Sequence, residues 1–259
     1  MHFIDSHCHL NFSAFSSNYF DVVQSARDVG VKKVIIVGAD PQTSTRALEI
    51  AREINLRFKN FAYCAVGIHP THTDRIDFKT ISRLATDPSV VAIGETGMDF
   101  HLDKEKTSLR EQAELFAMHI NLAQELNKPL IVHNREADDE VGQIVKDSGY
   151  FNGVFHCYSS DHHFSRMIID LGFYISFTGN ITYGNKKLKK VVERTNLEKI
   201  MIETDSPYIV PEPLRQQGQK QNEPAFVTHV AEKIAKIKNI TLSEVAETTT
   251  KNTITCFNL

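Results

Sequence analysis

Two histidines separated by one residue give the first chemical signal. His7 and His9 stand at the end of a short apolar run in the N-terminal stretch MHFIDSHCHL. Side chains alternate along a strand, so residues two apart share a face. His7 and His9 can therefore grip one ion while Cys8 turns away. Imidazole nitrogen and carboxylate oxygen suit zinc, manganese and related divalent ions. A lone His-X-His is often incidental, and the weight comes from what recurs downstream. Glu95, His133 and His156 each end a later apolar run, and Asp205 follows another. Taken singly, each has an ordinary explanation: Glu95 after Gly94 as a helix cap, or Asp205 before Ser206-Pro207 as a turn opener. Six such residues at matching positions are hard to attribute to chance. They are too many for one tetrahedral catalytic ion that keeps an open position, and they fit two divalent ions, zinc, magnesium or manganese, sharing a carboxylate.

The elements that must position these groups are legible as alternation. Candidate strands are His2–Ser6, Val34–Gly38, Ala62–Ile68, Val91–Glu95, Leu130–His133, Gly153–His156, Phe173–Phe177 and Lys199–Glu203. Several are rich in β-branched residues, as strands buried on both faces should be. Between them, apolar residues at three- and four-residue spacing predict helices over Phe20–Val29, Ser44–Ile54, Phe78–Leu84, Leu109–Leu126, Ala137–Lys146, His163–Leu171 and Leu188–Arg194. A Pro-, Gln- and Gly-rich loop, Val210–Gln221, precedes two closing helices near Ala225–Ile237 and Ser243–Thr253. Strands alternating with helices imply a parallel sheet. An open doubly wound sheet would satisfy the pattern too. The count of eight strands favours a closed (β/α)8 barrel of the TIM type, and the first strand–helix turn lacks a GxGxxG phosphate loop. A barrel puts all six polar residues at its C-terminal mouth, where active sites of that fold lie.

Bulk properties narrow the function classes. The chain of 259 residues is expected to form one domain, 1–259, because barrels of about this length are routinely single domains. Its net charge of -3 argues against sequence-independent coating of a polyanion, although bound metal ions would supply local positive charge. The basic run Lys186–Lys190 reads best as a solvated helix face, with phosphate steering as the sharper alternative if that helix starts near the mouth. Four scattered cysteines, Cys8, Cys64, Cys157 and Cys256, show no zinc-ribbon or disulfide spacing. With no secretory signal and no apolar run long enough to span a bilayer, a cytoplasmic location away from membranes is the expectation.

At the ligand positions the chain resembles the TatD family of metal-dependent deoxyribonucleases. The matching segments are FIDSHCHLNF, VGIHP, IGETGMDF, KPLIVHNREADDE, FHCYS, ETDSPY and QNEPAFV, in the family's order over essentially the whole chain. The resemblance implies a nuclease on a barrel, with His7, His9, Glu95 and Asp205 at one ion. Glu95 would bridge to a second ion held with His133 and His156. His69 of VGIHP matches a histidine on the substrate side. Asp99, Arg135 and Glu203 fall in matching motifs, and Arg135 and Asn222 are expected to contact substrate. The implied reaction is phosphodiester hydrolysis of DNA, preferably at single-stranded 3′ ends, with Asp205 taking the proton of the attacking water and His69 donating to the phosphate. Two departures stand out. Thr71 follows His69-Pro70 where the family often has a second histidine, and Gln221 stands where the family has an arginine.

Two competitors remain at this level. An amidohydrolase-type enzyme acting on cyclic amides, lactones or phosphotriesters can use the same His-X-His, two histidines and a late aspartate. Many such enzymes bridge their metals with a carboxylated lysine at the fourth strand, where Glu95 stands here. A catalytically silent scaffold is disfavoured because all six ligands are intact.

Overall fold

A computed structural model describes residues 1–73, 77–101 and 109–259. Eight strands form one parallel sheet in sequential order: β1 (Phe3–Cys8), β2 (Val31–Val37), β3 (Ala62–Val66), β4 (Val90–Asp99), β5 (Leu130–Arg135), β6 (Gly153–Phe155), β7 (Tyr174–Phe177) and β8 (Ile200–Ile202). Helices α1 (Tyr19–Asp28), α2 (Pro41–Arg57), α3 (Phe78–Ala85), α4 (Leu109–Leu126), α5 (Asp138–Ser148), α6 (His162–Leu171), α7 (Lys186–Arg194) and α8 (Val227–Lys238) alternate with them, and α9 (Leu242–Phe257) follows. The chain is a single (β/α)8 barrel, as expected.

Closure occurs just beyond β8. The Asp205 amide donates to the His7 carbonyl at 2.9 Å, and the His9 amide donates to the Ser206 carbonyl at 2.8 Å. The hydrogen bonds that close the barrel therefore also bring Asp205 beside the His-X-His pair. Asp5, fully buried, reinforces this seam by accepting from the Thr204 amide at 2.9 Å and the Thr204 hydroxyl at 2.6 Å.

Strand periodicity sorts the apolar residues into two layers. Ile35, Ala65, Ala92, Ile131, Val154 and Met201 fill the barrel interior, and Phe257 of α9 packs with them. Their neighbours Val34, Ile36, Cys64, Ile93, Leu130, Val132 and Phe155 belong to the layer between sheet and helices. Two residues beyond an inward apolar position the next inward side chain is polar: His133 after Ile131, His156 after Val154, Glu203 after Met201. The interior is thus apolar below and ionisable at the top.

The basic run of α7 behaves as a solvated face, with Leu188, Val191 and Val192 buried and the lysines of Lys186–Lys190 exposed. Among the described residues, no helix is long and apolar enough to cross a membrane.

Candidate metal centre and cleft

Simple alternation from Ala92 would point Glu95 away from the interior. The β4–β5 register corrects this: Ile93 faces Leu130 but Thr96 faces Val132, so β4 carries one extra residue between them. A bulge of this kind re-aims a side chain, and Glu95 turns inward, 4% exposed. Glycines allow it. Gly94 and Gly97 have φ of 149° and 138°, and a Cβ on either would lie 2.6 Å from the Ile131 carbonyl oxygen or 2.0 Å from that of His133. The GETG sequence is therefore a device for close approach of β4 to β5 around one carboxylate.

The two oxygens of Glu95 face different groups. Oε2 lies 3.6 Å from His7 Nε2 and 3.8 Å from His9 Nε2. Asp205 Oδ1 completes this side at 3.7 Å from His7 Nε2 and 3.3 Å from His9 Nε2, with the two imidazole nitrogens 3.1 Å apart. Oε1 lies 3.0 Å from His133 Nδ1 and 2.9 Å from His156 Nε2, and those two nitrogens are 3.2 Å apart. Ligands ~2.1 Å from a tetrahedral ion are separated by ~3.4 Å from one another, given ordinary zinc–nitrogen and zinc–oxygen bond lengths. The separations bracket that length on the Oε2 side and fall somewhat below it on the Oε1 side, and both His7–His9–Glu95 and Glu95–His133–His156 are donor sets that could hold a metal ion.

Two imidazole nitrogens facing each other need a proton or a cation between them. The titration behaviour of the metal-free site reflects this. Burial opposes charge on His156, yet Glu95 and Glu203 raise its pKa well above the ordinary value. Burial likewise opposes charge on His9 and His133, but Asp205 raises the first and Asp99 with Glu95 the second. Burial and the neighbouring His156 lower His7. Against burial, His156, His69 and His133 hold Glu95 well below the usual carboxylate range, and His9 and His7 hold Asp205 down. Anionic oxygens and proton-holding imidazoles occupy positions where a divalent ion would replace the protons.

His69 has a different character. The Thr71 amide donates to its Nδ1 at 3.2 Å, which makes Nδ1 the acceptor and leaves the proton on Nε2. His69 Nε2 lies 3.4 Å from Glu95 Oε1, and both line the cleft. Burial drives the His69 pKa down to about 3, so the ring is neutral rather than a cation. His69, Asp99 and His133 also lie close enough to form a ligand group, but the tautomer of His69 and the contact of His133 with Asp99 use those nitrogens otherwise.

The loop carrying His69 is held by a histidine that sequence reasoning missed. His119 of α4 accepts from the Ile68 amide at 3.0 Å through Nε2, with Nδ1 2.7 Å from the Leu115 carbonyl. Fully buried, it is pushed down to about 4 and stays neutral. No local motif marks it. Asp5 was also missed, although the two-residue rule that pairs His7 with His9 extends back to it. Burial, only partly offset by its Thr204 contacts, raises Asp5 to about 8.

A cleft of about 630 Å³ opens over Glu95, lined by His9, His69, His133, His156, Asp205, Arg135, Asn180 and Tyr208 among others. Arg135 is exposed on its rim. Asn222 does not reach the cleft, contrary to expectation. It is fully buried, its amide donates to the Thr204 and Ile209 carbonyls at 2.8 and 3.1 Å, and its oxygen accepts from the Glu223 amide. Its hydrogen-bonding groups are spent on holding the 204–209 turn, so its role is support of Asp205 and Tyr208. Gln221 also lies off the cleft, near the Ala14 carbonyl. Tyr208 and Ile209 line the cleft, whereas the loop Val210–Gln221 that follows them does not.

A barrel with this histidine- and carboxylate-lined mouth defines a class, the barrel metal-dependent hydrolases. The comparisons with known proteins agree and are more specific. The sequence profile of the family described as TatD related DNase matches residues 4–258. An uncharacterized metal-dependent hydrolase of Bacillus subtilis, YabD, is 38% identical, the alignment covering 98% of each chain. YcfH of Escherichia coli, also an uncharacterized metal-dependent hydrolase, is 36% identical over 100% of this chain and 97% of its own. The crystal structure of YjjV, a TatD homolog from Escherichia coli, superposes with a TM-score of 0.89 at 28% identity, covering 99% of this chain and 98% of that one. The chain belongs to the TatD family of metal-dependent hydrolases.

Proposed function

We propose that this chain is a deoxyribonuclease that hydrolyses phosphodiester bonds at DNA ends, with two divalent ions bridged by Glu95. The observation that carries this reading is the division of the Glu95 carboxylate, Oε2 toward His7 and His9, which Asp205 also faces, and Oε1 toward His133 and His156. An imidazole-rich set of this kind favours zinc over magnesium, and its carboxylates also admit manganese. Two such ions, when bound, polarise a phosphate oxygen and acidify a water molecule.

The chain's own residues do the rest. Asp205, held ionised by His9 and His7 and only partly exposed, is placed to take the proton of the attacking water. The neutral His69 directs Nε2–H into the cleft, where it stabilises charge growing on a non-bridging oxygen. Arg135, exposed on the cleft rim and without an acidic partner among the described residues, meets a second phosphate of the strand. The substrate class rests on the family match, and an attack at 3′ ends with single-stranded character is the form we propose.

The test is an assay of metal-loaded protein on end-labelled single- and double-stranded DNA, with lactone and dihydropyrimidine substrates in parallel. Metal-dependent shortening from the 3′ end is expected. Lactone or amide turnover without DNA loss would instead assign an amidohydrolase activity to the same centre.

A further inference from the structure

Two aromatic residues stand over the first ligand cluster, each three residues beyond a ligand. The Phe12 amide donates to the His9 carbonyl and the Tyr208 amide to the Asp205 carbonyl, both at 3.0 Å. These turns fix both rings relative to the cluster. Phe12 stacks on the His9 imidazole, centroids 4.3 Å apart and planes 14° from parallel. Tyr208 meets Phe12 edge-on at 6.4 Å and is 54% exposed. Tyr208 also lines the cleft over Glu95, so its open ring borders the space a substrate would occupy.

Tyr208 is also a divide. The cleft over Glu95 lies on one side, and on the other lies a groove of about 890 Å³ between α2 and the turn after β1, to which Phe12 and Tyr208 also contribute. Its charged lining is Asp40, Glu49 and Arg46. The guanidinium is engaged by Glu49 at 3.1 Å and Glu53 at 3.2 Å. It is therefore not free to take a phosphodiester oxygen. An uncharged planar ring needs no cation, and Gln42, Thr45 and Ser13 offer it hydrogen-bonding groups.

We infer that Tyr208, with Phe12 behind it, is a nucleobase-stacking platform. The base next to the scissile phosphate leaves the metal cleft over Tyr208 and enters the adjoining groove, while the phosphates stay on the Arg135 side. The platform rests on the nuclease function proposed above and adds a base-recognition subsite to it. Stacking on an aromatic side chain is tolerant of base identity, so the subsite senses the presence of a base more than its sequence.

The experiment compares oligonucleotides carrying a normal or an abasic residue on either side of the scissile bond, cleaved by wild type, Tyr208→Ala and Tyr208→Phe. For wild type, removing the base at one of the two positions should lower kcat/KM by about 10-fold or more, within the range expected of one stacked base. Tyr208→Ala should lose most of that discrimination, and Tyr208→Phe should retain it. Undiminished discrimination in Tyr208→Ala, or none in wild type, overturns the platform while leaving the nuclease intact. No metal-dependent cleavage of any oligonucleotide overturns the nuclease itself and the platform with it.

Discussion

Asp99 Oδ2 lies 2.9 Å from Nε2 of His133, on the opposite edge of the ring from the Nδ1 that faces Glu95. A carboxylate behind a metal-binding imidazole fixes its tautomer and makes the other nitrogen a better ligand. Glu203 stands in a similar place behind His156, 3.7 Å from its Nδ1, and is itself held by the Ser176 hydroxyl at 2.6 Å. Replacing Asp99 by Asn keeps the shape and removes the charge. Asp99→Asn should weaken metal binding on the His133 side by about 10- to 100-fold. Titration of the metal-free variant with zinc or manganese checks this, and wild-type affinity would show that Asp99 does not act through His133.

His69 should matter to turnover and not to metal content. Its Nδ1 accepts from Thr71 and its Nε2 carries the proton, so it has no lone pair to offer an ion. His69→Ala is expected to retain the metal and lose about 10²-fold or more in kcat, the scale of a lost transition-state donor. Loss of metal from this variant would make His69 a ligand instead.

Metal affinity should climb with pH through and beyond the ordinary imidazole range. His9, His133 and His156 have pKa values raised above 6.5 in the metal-free site, so protons occupy them to higher pH than usual. Each must leave before its nitrogen can bind an ion, and binding therefore releases protons. Calorimetric titration in buffers of different ionisation enthalpy should show proton release near neutral pH, diminishing as pH rises. Binding with no proton release at neutral pH would contradict the raised values. Activity should fall on the acid side, and excess metal should partly restore it.

Asn222 should behave as a structural residue. Asn222→Ala leaves the buried Thr204 and Ile209 carbonyls without their donor, at a cost of about 1–3 kcal/mol for each group left unsatisfied. Thermal unfolding should show a clear drop in Tm. An unchanged Tm with an increased KM for DNA would return Asn222 to substrate contact.

The ligands were legible because of where they stand. His133 and His156 continue the inward period of Ile131 and Val154, and strand ends in a barrel converge whatever their separation in sequence. Glu95 was legible by type and place, but the reason it points inward was not. It depends on a one-residue bulge in β4, which also carries that strand to Asp99 rather than ending it at Glu95. Asn222 looked like a substrate contact because it lies in a shared motif. A motif marks that a residue is needed, and only the three-dimensional course of the 204–209 turn shows that the need is for two carbonyl partners. His119 gave no signal, since a single histidine in an amphipathic helix is indistinguishable from a surface one until its neighbours are known. Tyr208 was hidden for the opposite reason, because exposure at the mouth is a property of the assembled fold.

The most direct test is of Glu95 as a bridge between two ions. Elemental analysis of protein reconstituted with zinc or manganese should give two ions per chain for wild type. Glu95→Ala should lose affinity for both, since Oε1 and Oε2 serve opposite sides, whereas His156→Ala should affect mainly one. A single ion per saturated wild-type chain, or a Glu95→Ala variant that keeps two at wild-type affinity, would contradict the bridged centre.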